Sequence, residues 1–141
     1  MARVTVRSER GLRQRVEAGR HVFAVDEPVS AGGGDAGADP YALLLAALGA
    51  CTSMTLRVYA DRKKWPLGEV VVELSHSRAH ADDCAGCERP DARVDQIERR
   101  ILLSGPLDAE QTARLAEIAR KCPVHKTLTA GVNVVDTVQV L

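Results

Sequence analysis

Hydrophobic and polar positions alternate at the start of the chain. Val4 and Val6 are interleaved with Arg3, Thr5 and Arg7, the two-residue period of a strand with one buried face. Val16 and the run His21-Val22-Phe23-Ala24-Val25 predict two more strands, joined by a hairpin turn at Ala18-Gly19. Asp26-Glu27-Pro28 closes that sheet, and Ser30 to Ala38, with glycines at 32, 33 and 34, reads as a flexible connection, a hinge or a loop over a site. Asp39 then suits an N-cap and Pro40 the first helical position. From Tyr41 to Cys51 the helix is apolar on every side, so this half is expected to be buried all round, with a second subunit as one source of cover. Beyond Cys51 the pattern turns amphipathic, and Arg62, Lys63 and Lys64 gather where helix carbonyls favour positive charge.

Alternation returns at Val70, Val72 and Leu74, which predicts another strand. Ala79 to Pro90 is polar and turn-like, with His76 expected at the strand end and His80 in the loop. A long strand over Val94 to Leu103 carries Ile97, Ile101 and Leu103 on one face and charges on the other. Asp108, with Gln111 three residues on, has the form of a capping box for a second helix. Leu115, Ile118, Ala119 and Cys122 share one face of it, and Pro123 stops it at Cys122, which becomes the N-cap of any turn that restarts there. Val132, Val134, Val138 and Val140 predict a final strand. Strands and helices are segregated, so the fold class is α+β in a single domain, 1–141.

Composition narrows the function classes. The chain has 141 residues, 45% of them hydrophobic and 27% charged, an ordinary globular balance. Nineteen basic residues match nineteen acidic ones, which argues against nucleic acid or an anionic membrane as partner. The N-terminus has no apolar signal core, and Tyr41 to Cys51 is too short to span a bilayer, so the expected location is the cytoplasm. Thiols are kept reduced there, and four cysteines point to catalysis or metal binding more than to structural disulfides.

Three features carry candidate chemistry. Cys51 is either a small core hydrophobe or a reactive thiol. The second role needs a cation, expected from the N-terminal strands rather than from Arg57. Cys122, at a helix start, feels unpaired amides that favour a thiolate, and His125 is placed as proton relay or hydrogen-bond partner. The bland alternative is a packing cysteine beside an exposed histidine. His76, His80, Cys84 and Cys87 hold the ligand inventory of a tetrahedral zinc site, although both histidines precede the cysteines. Cys84 and Cys87 are also readable as a redox dithiol that relays electrons, or as plain loop.

Pro40-x-x-Leu43-Leu44-x-Ala46-Ala47-Leu48-Gly49-Ala50-Cys51, followed by Cys122-Pro123-Val124-His125, resembles the OsmC/Ohr superfamily of osmotically inducible and organic hydroperoxide resistance proteins. The likeness is to the OsmC-like subgroup with an Asp-Cys-x-x-Cys-Glu loop, here Asp83 to Glu88. It implies an intertwined α+β homodimer, with antiparallel sheets wrapped around two long central helices. It also implies an antioxidant thiol peroxidase that reduces organic hydroperoxides. Cys51 would attack and become a sulfenic acid, and Cys122 would resolve it as a disulfide. A dithiol, a lipoyl protein in some relatives, would restore both thiols without metal or organic cofactor. The alternative is a non-catalytic ligand- or metal-binding relative using the His76/His80/Cys84/Cys87 segment. The chain departs from the peroxidases where they place a glutamate ten residues before the first cysteine, since Tyr41 stands here, and neither Glu27 nor Asp39 matches by position. For their thiolate-stabilising arginine the resemblance offers Arg10, with Arg7 and Arg13 as rivals.

Overall fold

The computed structural model describes residues 2–80 and 93–140. It falls into two compact units, Met1–Ala46 and Ala47–Leu141. The polar segment 81–92, with Cys84 and Cys87, lies outside the described residues.

In the first unit, β1 (Thr5–Ser8), β2 (Gln14–Ala18) and β3 (His21–Val25) form an antiparallel meander, with Val6 opposite Val16 and Val16 opposite Phe23. The predicted hairpin turn is present, and Gly19 supplies its positive φ of 62°. Burial along β1 departs from the alternation, since all four residues are exposed. It is an edge strand, and no layer of its own unit covers it.

The glycine-rich segment is ordered rather than loose. Asp26 is buried, and its carboxylate accepts N–H bonds from Glu27 (2.8 Å), Gly34 (3.1 Å) and Ala36 (3.1 Å). A single 3₁₀ turn spans Val29–Ala31, and a Cβ at Gly33 would collide with the Glu27 carbonyl oxygen. The bond to the Ala36 N–H, aided by the other two amides and Arg13, holds the Asp26 carboxyl below the usual range despite burial.

The long helix α1 (Pro40–Lys63) starts as predicted, with the Ala42 N–H donating to Asp39 Oδ1 at 2.8 Å. By length and composition α1 would suffice to cross a membrane. It is instead a core helix, burying Leu48, Gly49, Thr52, Leu56 and Ala60. Burial all round is not found in a single chain, where Tyr41 is 47% and Leu44 38% exposed. One stripe is buried, and apolar residues on the other faces stay exposed among the described residues.

In the second unit, β4 (Val70–His80) and β5 (Arg93–Leu103) form an antiparallel ribbon with Val72 opposite Ile101, Leu74 opposite Arg99 and His76 opposite Ile97. The ribbon runs further than the sequence suggests. His76 falls inside β4, and His80 is its last residue rather than a loop residue. Gly49 lets α1 approach β4 closely, because a Cβ there would lie 2.8 Å from a Leu74 methyl. The core is built from Leu56, Ala60, Leu67, Leu115, Ile118 and Ala119. Arg57 donates to the carbonyls of Leu67 (2.8 Å) and Gly68, which fixes the turn after α1.

Helix α2 (Ala109–Ala119) has the expected capping box, with Gln111 N–H to Asp108 Oδ1 at 2.7 Å and Asp108 N–H to Gln111 Oε1 at 3.1 Å. Helix α3 (Pro123–Ala130) restarts at once with Cys122 as N-cap. The expected final strand is absent from the described residues, and the backbone from 131 to 140 forms no ladder. Val132, Val134, Val138 and Val140 are 65–98% exposed. A strand needs a neighbour for its N–H and C=O groups, and alternation alone does not provide one.

Candidate active site

Burial of α2 brings the two thiols together. Leu115, Ile118 and Ala119 pack with Leu56 and Ala60 of α1, so the chain leaving α2 is delivered beside α1 one turn earlier. Cys122 arrives there fully buried, while Cys51 on α1 is half-buried. Both are free thiols, and they are near enough for each to perturb the ionisation of the other.

Cys122 has φ −59° and ψ 135°, the extended geometry imposed by the following proline, and its sulfur accepts the His125 N–H at 3.3 Å. Burial opposes its ionisation, but the His125 N–H, Cys51, Thr52 and the Val124 N–H together hold the thiol below its ordinary value. Burial pushes the Cys51 thiol up, and the neighbouring Cys122 adds to this. The Val124 N–H and the Thr55 hydroxyl, one turn along α1, offset only part.

A cation stands by this pair from an unexpected strand. Arg99 of β5 donates from Nη1 to Thr52 Oγ1 (2.9 Å) and to the Ala119 carbonyl (3.4 Å). The reading of β5 as apolar on one face and charged on the other needs correction here. Arg99 keeps the two-residue period of Ile97 and Ile101 and is likewise partly buried. That one arginine in an apolar register was the available signal.

Arg10 lies exposed in the turn between β1 and β2 of the first unit, whereas the thiols belong to the second. Of its rivals, Arg13 pairs with Glu9 at 3.1 Å. Asp39 spends its carboxylate on capping α1.

A cleft of about 500 Å³ is walled in part by Arg99 and by His125, whose N–H bonds the Cys122 sulfur, although neither cysteine lines it. Leu48, Ile97 and Leu128 supply apolar wall, while Arg99, Arg120, His125, Thr129 and Asp95 supply polar wall. Burial, then Arg99 and Arg120, push the His125 imidazole down, so it is neutral at pH 7 and able to accept or pass a proton. Asp95 is engaged, accepting from His76 Nε2 at 2.8 Å and pairing with Arg78 at 3.4 Å.

That engagement bears on the metal reading. His76 is paired with a carboxylate, and no group of three or more His, Cys, Asp or Glu among the described residues is placed to hold a metal ion. Cys84 and Cys87 of the predicted ligand set lie outside the described residues.

A family model described as OsmC-like protein matches residues 32–135, which include both thiols and every element from α1 to α3. The chain belongs to the OsmC-like protein family. No curated protein matches it. Among solved structures, an OsmC-like protein from Mycoplasma pneumoniae aligns with TM-score 0.73 and 18% identity, over 92% of this chain and 87% of that one. The organic hydroperoxide resistance protein OhrB of Bacillus subtilis aligns with TM-score 0.57 and 23% identity, over 89% and 88%. An OsmC-like protein of unknown function from Vibrio cholerae gives 0.67 and 11%, over 89% and 92%. At these identities the likeness is one of fold, antiparallel sheets with a long central helix. OsmC-like chains thus include hydroperoxide resistance proteins and others without an assigned activity, and the choice for this one falls to its own site.

Proposed function

We propose that this OsmC-like chain is a cysteine-based peroxidase that reduces organic hydroperoxides in the cytoplasm. The observation that carries the reading is the pairing of a half-buried thiol with a fully buried one beside an amphipathic cleft. Cys51 has the solvent access an attacking sulfur needs. Its thiolate displaces alkoxide from the distal peroxide oxygen and becomes a sulfenic acid. Cys122 then attacks the Cys51 sulfur, hydroxide leaves, and a disulfide forms without large movement. An external dithiol, of the lipoyl type, reduces it by exchange. The apolar walls of the cleft suit the organic part of the peroxide, and Arg99 and Arg120 suit the charge that develops on oxygen. Arg99 takes the place the resemblance assigned to Arg10, and His125 supports the same wall.

One equivalent of an alkyl hydroperoxide is expected to yield a Cys51–Cys122 disulfide on peptide mass mapping and one equivalent of alcohol. Cys51→Ser should abolish peroxide consumption, and Cys122→Ser should stall at a trappable sulfenic acid on Cys51. Parental peroxide turnover by the Cys51→Ser variant would overturn the reading.

A further inference from the structure

The turn that carries Cys122 is left with an open carbonyl by its own sequence. The helical partner of the Ala119 carbonyl would be the N–H of residue 123, and Pro123 has none. The carbonyl instead accepts from two other donors, the Cys122 N–H at 3.4 Å and Arg99 Nη1 at 3.4 Å. On α1, the residue after Cys51 is Thr52. Its hydroxyl donates to the Leu48 carbonyl at 2.7 Å and accepts from Arg99 Nη1 at 2.9 Å. A single guanidinium nitrogen of β5 thus joins the helix that carries Cys51 to the turn that carries Cys122.

The setting gives these bonds weight. Thr52 and Cys122 are completely buried and Ala119 nearly so, and water does not readily replace a donor lost there. Thr52 is branched at Cβ and sits in a helix, which narrows its side-chain rotamers. The packing of Leu115, Ile118 and Ala119 on Leu56 and Ala60 holds α2 on α1, but it stops short of the thiol itself. Apolar burial is also non-directional. Hydrogen bonds at fixed atoms are what can set where the Cys122 turn lies.

We propose that Arg99 is a positioning residue that clasps Thr52 to the Ala119 carbonyl, seats the Cys122 turn against α1 and so raises the effective concentration of one thiol at the other. Its place in turnover rests on the peroxidase reading above, and the step it serves is closure of the disulfide. In that step the Cys122 sulfur bonds to the Cys51 sulfur and the S–O bond of the sulfenic acid breaks. Hydroxide leaves and takes a proton from solvent. Clasp and disulfide hold the same two segments together, so each strengthens the other by the same factor.

Equilibration with glutathione buffers of graded ratio reads that effective concentration without any peroxide. The full-length parent, Thr52→Val, Arg99→Met and the double variant are compared, with the Cys51–Cys122 disulfide quantified by peptide mass mapping. Each single variant should lower the equilibrium constant for that disulfide by roughly tenfold to a hundredfold, the weight of a hydrogen bond from a charged donor. A tenfold change is about 30 mV in the potential of the pair. The double variant should fall no further than either single one, because all three remove one clasp. Thr52→Ser keeps the hydroxyl and should restore the parental value. A merely structural role would lower the melting temperature and leave the constant unmoved. If Thr52→Val does not fold, Arg99→Met against the parent decides.

An unmoved constant in Arg99→Met would overturn the proposal, as would additive losses in the double variant. A parent that forms only mixed disulfides with glutathione at these thiols would overturn it too. Peroxide turnover by the parent with an unmoved constant in the variants sinks the clasp and keeps the peroxidase. The expected shifts without any peroxide turnover do the reverse.

Discussion

Asp26 shows how one side chain sets a loop. Its three amide bonds require the ionised form, and its folded pKa lies below the ordinary carboxylate value. A depressed folded pKa means that the stability it contributes is present above the unfolded value, near pH 4, and is lost as pH falls through the folded one. Asp26→Asn should therefore melt below the parent at pH 7, and the gap should narrow on acidification below about pH 4. Equal melting temperatures at neutral pH would count against it. In the second unit, Leu115 is completely buried in the cluster that carries α2 onto α1. Leu115→Ala should cost about 2–5 kcal/mol by urea denaturation. It should also slow peroxide-driven disulfide formation, because the same packing delivers Cys122 to Cys51.

Among the elements, α2 and α3 are written most plainly. A capping box begins one, and a proline both ends it and starts the other. Asp108→Ala removes the bond to the Gln111 N–H and should destabilise by ~1 kcal/mol in the same assay. The thiols should keep their pairing, since that cap lies at the far end of α2. The β4–β5 ribbon was half legible. Its alternation is clear, but a charged residue type hides that Arg99 shares the register of Ile97 and Ile101. The segment from Val132 to Val140 has the composition of a strand and pairs with no strand among the described residues.

For the whole molecule, these valines and the apolar flank of α1 ask for the same thing. Val132, Val134, Val138 and Val140 are exposed, as are Tyr41, Leu44, Met54 and Val58. Large exposed apolar surface marks an interaction site. We infer a homodimer in which a second copy covers the helix and pairs with the C-terminal segment. Sedimentation equilibrium should return twice 15.2 kDa. The double variant Val134→Lys/Val138→Lys should weaken association by roughly tenfold or more. A monomer at micromolar concentration in the parent protein would overturn the inference.

Sequence alone determined what local chemistry determines. It gave the helix starts at Asp39 and Asp108, the turn at Gly19, the N-cap role of Cys122 and the α+β order of elements, because each depends on residues within a turn or two. It also flagged both thiols through two motifs far apart in the chain. Tertiary structure decided the rest: that those thiols come near enough to perturb each other, that one is fully buried and the other half-buried, and that Arg99 bonds to Thr52, the residue next to Cys51. These depend on which groups converge from α1, β5 and α3, and electrostatics at a thiol follows distance in space rather than distance along the chain.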